Sequence, residues 1–184
     1  MKKSLFQITM IIPLALILCF MVGCQNHEAM AELEEFKAQA EVEEQNKALI
    51  SRLYEVINEG DIEAYKEMLA PEYVWYMPSR STKPISRKEI VEFVKMLHSG
   101  FPDVAYSVED LIAEGDIVLS RFIFRGTHIG EFQGIPATGN KVEMSGFMMT
   151  RIENGKLVED KEEADTLGMM MQLGMELKPK EAEK

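Results

Sequence analysis

The sequence has few cysteines and few histidines, and this scarcity excludes several kinds of site. Its two cysteines, Cys19 and Cys24, lie within the first 24 of 184 residues. The rest of the chain therefore holds neither a disulfide framework nor a cysteine-based zinc site. The three histidines, His27, His98 and His128, are scattered without the spacing of a zinc motif. We therefore expect no metal site.

Basic side chains are also scarce. The chain has 20 Lys and Arg against 31 Asp and Glu, which gives a formal net charge of −11 at pH 7. Nucleic-acid-binding surfaces neutralise phosphates with clustered Lys and Arg, so we expect no nucleic acid partner. A hydrophobic content of 46% excludes a disordered chain, and the length suits one domain with appendages.

The longest apolar run, Leu5 to Val22, follows two lysines, as in a bacterial secretory signal. It ends in Met21-Val22-Gly23-Cys24, which resembles the lipobox of bacterial lipoproteins, whose cysteine is lipidated. We expect residues 1–23 to be a signal peptide and Cys24 to carry palmitate. The mature lipoprotein would then be anchored to a membrane of the bacterial cell envelope, outside the cytoplasm. The alternative is a plain transmembrane anchor, because a run of about 18 apolar residues can span a bilayer.

An acidic segment, residues 24–46, follows the signal. It has seven Glu, a single Lys and no glycine or proline, which predicts a helix with only a thin apolar stripe. We interpret it as a solvated tether that holds the domain away from the membrane. The alternative is a helix that binds a partner.

The folded domain is predicted over residues 47–177, with a charged tail over 178–184. Asn154-Gly155 is the strongest hairpin signal and joins the last two predicted strands. Helices are predicted over 47–59, 62–69, 87–98 and 166–177, and strands over 73–76, 104–113, 117–125, 142–152 and 157–164. Helices first and paired strands afterwards describe an α+β domain.

Five short segments in this domain carry a family resemblance. They are Phe101-Pro102-Asp103, Gly126 to Phe132, Gly134 to Gly139, Arg151 to Lys156, and Asp165 to Gly168 followed by Gln172-Leu173-Gly174. Together, in this order, they resemble the SnoaL-like polyketide cyclases, also called ester cyclases, within the nuclear-transport-factor-2-like superfamily. The resemblance covers roughly residues 47–174.

The resemblance implies a cone-shaped domain, in which a curved antiparallel sheet packed with N-terminal helices surrounds a central pocket. It also implies an intramolecular aldol condensation that needs no metal or cofactor. In that reaction an Asp removes an acidic C–H proton, and the resulting carbon nucleophile attacks a carbonyl of the same molecule. The implied ligand is a small apolar or amphipathic molecule, and a homodimer through the sheet is common in this superfamily.

The family's catalytic Asp lies shortly before its last helix, where this chain has Asp165. A carboxylate facing an apolar cavity has a raised pKa and acts as a base. If Asp165 faces the pocket, strand alternation places Lys161 and Glu163 on the same face, as substrate-binding groups. The alternatives are that Asp165 only caps the last helix and that Lys161 is a solvated surface lysine.

His128 is the second candidate catalytic residue, as a hydrogen-bond donor to an enolate or as a proton shuttle. The alternative is a structural histidine held by backbone groups of its turn. We expect Tyr54, Trp75 and Tyr76 to line the pocket or its rim. Relatives commonly have a His near Tyr76 and a Trp in place of Lys161, and these differences alter the part of the pocket that recognises a substrate.

Two classes of function are therefore open. One is a cofactor-free enzyme, a cyclase or isomerase with Asp165 as general base. The other is a noncatalytic lipoprotein that binds a small molecule in the same pocket.

Overall fold

The computed structural model describes residues 2–178, and for residues 2–26 and 28 it describes the backbone alone. The chain divides into two compact units, Met1–Glu41 and Val42–Lys184. The side chains of the predicted signal peptide and of Cys24, and residues 179–184 of the predicted tail, lie outside the described residues. Among the described side chains, no helix is long and apolar enough to span a bilayer.

Four helices are present in the described part of the chain. They are α1 (Lys2–Glu59), α2 (Ile62–Met68), α3 (Arg87–Gly100) and α4 (Thr166–Gln172). Asp61 caps α2 by accepting a hydrogen bond from the Ala64 backbone N–H, and Ser86 and Glu89 form the predicted capping box of α3. The sequence signals for these two helix starts are confirmed.

The second unit is built on one six-stranded sheet, curved and not closed into a barrel. Its strands are β1 (Leu69–Tyr76), β2 (Ile85–Ser86), β3 (Ala105–Glu114), β4 (Ile117–Thr127), β5 (Lys141–Glu153) and β6 (Lys156–Ala164), in the order β2-β1-β6-β5-β4-β3. Neighbouring strands are antiparallel except β1 and β6, which are parallel. The α+β class and the SnoaL-like architecture are confirmed.

The core of this unit lies between the helices and one face of the sheet. Alternation in β4 is regular, because Val118, Ser120, Phe122 and Phe124 are buried and the residues between them are more exposed. At Gly146 of the neighbouring strand β5, a Cβ atom would lie only 2.5 Å from the Phe122 ring. Glycine is therefore required here for β5 to pack directly over that ring.

The structure differs from the predicted elements at both ends of the domain. Leu69 begins β1 and does not end α2, because it is buried and pairs with Leu157. Pro71 is tolerated within β1 because it falls where the register with β6 shifts. At the C-terminal end, α4 stops at Gln172 and does not reach residue 177, since Gly174 has a positive φ of 92°.

Candidate active site

Two adjoining cavities lie inside the second unit. The larger cavity has a volume of about 240 Å³, and the smaller cavity about 50 Å³. Both are lined by Trp75, Phe93, Leu97, Tyr106 and Glu162. A groove of about 630 Å³ lies outside, between α2, β1 and α3, but none of the predicted site residues lines it.

Strand β6 brings two carboxyl groups into this interior. Asp160 and Glu162 are 3% and 7% exposed, and they stand opposite Thr150 and Met148 of β5. Both line the smaller cavity, and Glu162 also lines the larger one. A pair of acids two residues apart on a strand faces the same side, so the two carboxyls are neighbours in the interior.

Asp160 is held by two hydroxyl groups. Tyr73 Oη donates to Oδ2 at 2.5 Å and Thr150 Oγ1 donates to Oδ1 at 2.5 Å. Burial raises the pKa of Asp160 to about 6, although the two hydroxyl donors favour the ionised form. Asp160 is therefore mostly ionised at neutral pH, with one hydrogen bond to each oxygen.

Glu162 has a different environment. Trp75 Nε1 donates to its Oε2 at 3.1 Å, and Oε1 has no hydrogen-bond partner among the described residues. Burial raises the pKa of Glu162 to about 8, with a further contribution from the negative charge of Asp160. Glu162 thus holds its proton at neutral pH and titrates in the range where an acid/base group is most effective.

Tyrosines surround the two acids. Tyr54 and Tyr73 line the smaller cavity, as do Tyr65 and Tyr106. Burial raises the pKa of the Tyr54, Tyr65 and Tyr106 hydroxyls above the ordinary value, so these phenols stay neutral. The interior therefore offers neutral donors beside two carboxyl groups.

Asp165 occupies the helix-capping position. It is exposed, its Oδ1 accepts a hydrogen bond from the Gly168 backbone N–H at 2.8 Å, and it does not line either cavity. A Cβ atom at Gly168 would come within 2.2 Å of the carboxylate, so this glycine makes room for the cap. Asp165 therefore caps α4, which is one of the two roles that the sequence allows. Its role as general base stays a prediction.

Lys161 and Glu163 lie on the opposite face of β6 from the two buried acids. Lys161 Nζ pairs with Glu159 at 2.8 Å and lies 5.9 Å from the centre of the Tyr76 ring. Glu163 is exposed and accepts hydrogen bonds from the backbone N–H and the hydroxyl of Ser79. Neither residue, nor Tyr76, lines the two cavities, whereas Tyr54 and Trp75 do.

His128 is fully buried but lies outside both cavities. Its ring stacks on Phe101 with 5.1 Å between centres, and its Nδ1 accepts a hydrogen bond from the Thr138 backbone N–H at 3.3 Å. Its Nε2 is buried without a partner among the described residues. The ring is therefore held by Thr138 of the following loop and not by backbone groups of its own Gly126–Gly130 turn, and the catalytic role of His128 stays a prediction.

The sequence alone did not identify Asp160 and Glu162, because the face of β6 that was predicted to be the inner one carries Lys161 and Glu163. Asp160 and Glu162 share one face of β6 with the apolar residues Val158 and Ala164, which come two residues before and two residues after the pair of acids. That pattern was the available signal, and it was hidden by a run of charged residues from 159 to 163. Among the described residues, no group of three or more His, Cys, Asp or Glu could hold a metal ion.

Comparisons with known proteins agree with this geometry. The profile of the family described as SnoaL-like polyketide cyclase matches residues 47–173. Aklanonic acid methyl ester cyclase DnrD of Streptomyces peucetius is 27% identical over 128 residues, which cover 68% of this chain and 88% of the relative.

Solved structures show the same fold. IdmH of Streptomyces antibioticus, a candidate polyketide cyclase, superposes with a TM-score of 0.61 and 33% identity, over 71% of this chain and 99% of IdmH. AclR of Streptomyces galilaeus, a candidate hydroxylase, gives a TM-score of 0.66 and 26% identity, over 72% and 97% of the two chains.

The fold and the largely apolar interior thus define a small α+β domain of the cyclase type. Within that class, the chain belongs to the SnoaL-like polyketide cyclase family.

Proposed function

We propose that this protein is a cofactor-independent acid/base enzyme that acts on a small apolar or amphipathic molecule, with Glu162 as the general acid/base. The observation that carries the proposal is the position of Glu162. Among the described residues that line both cavities, Glu162 alone has a carboxyl side chain, and burial raises its pKa to about 8. A base of this kind suits cyclisation or isomerisation through an enolate.

In the proposed reaction one proton is transferred from the substrate to Glu162 and then returned to the product. Ionised Glu162 takes a proton from a carbon next to a carbonyl group, and the resulting enolate carbon attacks a second carbonyl of the same molecule. The new C–C bond leaves an alkoxide, which recovers the proton from Glu162. Trp75 fixes one carboxyl oxygen of Glu162, and the oxygen without a hydrogen-bond partner exchanges the proton.

Glu162 is favoured over Asp165 in this role because Asp165 is exposed and already caps α4. Asp165 also lines neither cavity, so it is not placed against a substrate held there. For Asp165 to act as a base inside the cavity, the N-terminus of α4 would have to rearrange. The Gly168 backbone N–H would then lose its capping acceptor.

The test measures proton transfer directly. Aklanonic acid methyl ester, the substrate in the names of the curated relatives, serves as a probe in D2O, with α-proton exchange and ring closure followed by NMR. We expect exchange by wild type, with a rate that rises as Glu162 ionises toward pH 8. Loss of exchange in Glu162→Gln, with retention in Asp165→Asn, supports the assignment.

Two other results would count against it. Exchange that survives in Glu162→Gln and disappears in Asp165→Asn would transfer the role to Asp165. Binding of the probe without exchange in any form of the protein would favour the noncatalytic binding lipoprotein. Native mass spectrometry of the same samples distinguishes an intact bound probe from a chemically altered one.

We also propose that the mature chain is anchored to the cell envelope through lipidated Cys24. The lipobox-like sequence at the end of the apolar run supports this location. Metabolic labelling with palmitate should mark wild type and not Cys24→Ser, and the variant should leave the membrane fraction. Equal labelling of both forms would contradict the proposal.

The outer face of the sheet supports a further proposal, a homodimer. Ile112, Leu119 and Met149 align across β3, β4 and β5, and Phe147 lies beside them; these four side chains are 37–64% exposed. Such a patch suits a second copy of this surface. Sedimentation should show a dimer for wild type and a monomer for Phe147→Lys, and a wild-type monomer would contradict the proposal.

A further inference from the structure

The smaller cavity contains acidic groups that no basic side chain balances. Its charged and titratable lining residues are Tyr54 of α1, Tyr65 of α2, Tyr73 of β1, Tyr106 of β3, and Asp160 and Glu162 of β6. No Lys, Arg or His is found among the described residues that line either cavity. Two acids therefore share an enclosed space without a cation from the protein.

Buried carboxylates in proteins are normally paired with a cation or kept neutral. Asp160 is stabilised by Tyr73 and Thr150, each at 2.5 Å. Glu162 is 7% exposed, and its Oε1 has no hydrogen-bond partner in the described part of the chain. This atom is not one of the fully buried side-chain atoms without a partner, so it is an acceptor open to the cavities that Glu162 lines, where a donor from a ligand would complete it.

The walls of the smaller cavity are suited to a cation as well. Tyr54 and Tyr106 have ring centres 5.6 Å apart, and each lies within 5.9 Å of the Phe122 ring. Trp75 and Phe93 form a second pair, 5.3 Å apart. Aromatic faces attract an ammonium group, and they do so most strongly where water is excluded.

We propose that the smaller cavity binds a positively charged amine, so that an apolar molecule bearing a basic nitrogen is preferred as substrate over a neutral one. Its volume of about 50 Å³ suits a single ammonium group, which is similar in size to a water molecule. The larger cavity, of about 240 Å³, takes the apolar remainder. This inference rests on the proposed function, because it assigns a substrate class to the same site.

Binding of an amine also has a consequence for the acid/base group. A positive charge beside Asp160 and Glu162 lowers the pKa of Glu162. At neutral pH Glu162 then releases its proton to solvent, and the carboxylate that forms is the base of the proposed reaction. The substrate itself would ionise the base that acts on it.

The test compares three probes that share a phenyl group on a four-carbon chain and differ in the polar group at the other end: 4-phenylbutylamine, 4-phenylbutanol and 4-phenylbutyrate. Calorimetric titration of the full chain near pH 7.5 should show that the amine binds at least about tenfold more tightly than the alcohol, and the acid more weakly than both. Amine binding should release a proton, seen as an enthalpy that depends on the buffer, and should strengthen from pH 6 to pH 8.

Matched variants locate the effect. Glu162→Gln should reduce amine affinity to that of the alcohol and abolish proton release, and Asp160→Asn should weaken the amine in the same direction. Glu159→Gln makes the same Glu-to-Gln substitution on the outer face of β6 and should keep both properties. Circular dichroism verifies that each variant is folded.

The outcomes separate the inference from the proposed function. An alcohol that binds as tightly as the amine to wild type overturns the cationic ligand but leaves the apolar cavity and its acid/base group in place. If none of the three probes binds to the folded protein, the cavity does not hold small apolar molecules and both proposals fail. An amine preference that survives in folded Glu162→Gln and Asp160→Asn places the cation elsewhere and also overturns the inference.

Discussion

At the scale of single residues, Glu162 and Asp160 are the groups that set the chemistry of this interior. Each is almost fully buried, and burial is the largest cause of the raised pKa of each. Their hydrogen-bond donors differ, because Asp160 has two hydroxyls and Glu162 has one indole N–H. This difference separates the pKa values of the two acids, so that one is mostly ionised and the other protonated at neutral pH.

The raised pKa of Glu162 makes stability depend on pH. Between 4.5, the ordinary value, and about 8, the folded state holds one proton more than the unfolded state. The free energy of unfolding therefore falls as pH rises through this window, by about 1.4 kcal/mol per unit, and levels off above it. This fall amounts to about 2 kcal/mol between pH 6 and pH 8, and urea unfolding of Glu162→Gln should not show it.

Glu159→Gln is the matched control for that measurement, since Glu159 lies on the outer face of the same strand. It should keep the wild-type slope between pH 6 and pH 8. Identical slopes for wild type and Glu162→Gln would mean that Glu162 is ionised throughout this range, contrary to its environment in the structure.

The Tyr73 hydroxyl should matter most when Asp160 is ionised. Tyr73→Phe removes a hydrogen bond to a buried carboxylate, and we expect a loss of about 1–3 kcal/mol at pH 7.5. The loss should be smaller near pH 4.5, where Asp160 is protonated and the hydrogen bond is weaker. Chemical unfolding at the two pH values measures the difference, and a cost that does not change with pH would argue that Asp160 stays neutral.

At the scale of secondary-structure elements, local signals predicted most of the fold. The capping box at Ser86 fixed the start of α3, and Asn154-Gly155 marked the β5–β6 hairpin. The face of β6 was harder, because charged residues occupy both of its faces. Val158 and Ala164 are a weak signal within the strand, and the cross-strand partners, Thr150 opposite Asp160 and Met148 opposite Glu162, define its inner face. Such partners depend on tertiary pairing that alternation within one strand does not contain.

The start of α4 offers a direct comparison of the two roles of Asp165. Asp165→Ala should cost about 1 kcal/mol, because the backbone N–H of Gly168 loses its acceptor. Asp165→Asn should cost little, since Asn is also a good N-cap. Thermal unfolding of both variants tests the cap, and equal losses for Ala and Asn would show that the charge, and not the capping hydrogen bond, is what matters.

The contact between β4 and β5 is also sensitive to a single atom. Gly146→Ala places a methyl group 2.5 Å from the Phe122 ring, in the wall of the smaller cavity. We expect a destabilisation of about 1–3 kcal/mol from this overpacking. Chemical unfolding measures it, and Ser145→Ala, at the adjoining exposed position, serves as the control and should change stability by less than about 0.5 kcal/mol. A neutral Gly146→Ala would mean that Phe122 can move away freely.

At the scale of the whole molecule, family membership defines the architecture and not the substrate. Relatives on this fold include a named ester cyclase and a candidate hydroxylase, so chemistry is set by the side chains that line the interior. In this chain those side chains are two acids and a group of aromatic rings. The fold was accessible from sequence through ordered motifs, whereas the interior acids required the three-dimensional pairing of β1, β5 and β6.

The second compact unit should fold on its own. Residues 42–184 contain the sheet, the helices α2 to α4 and the buried core. We expect a fragment of these residues to unfold in one cooperative transition with the same midpoint as the full chain. A fragment that is unfolded, or that melts at least about 10 °C lower, would show that residues 1–41 contribute to the stability of the fold.

The most direct measurement is the titration of the Glu162 carboxyl itself. Carbon-13 NMR of protein labelled at the glutamate carboxyl carbon, recorded from pH 4 to pH 9, separates this group from the exposed glutamates. We predict one resonance with a midpoint of about 8 that is absent in Glu162→Gln and present in Glu159→Gln. A spectrum in which every glutamate titrates below about pH 5 would contradict a protonated acid/base group at Glu162.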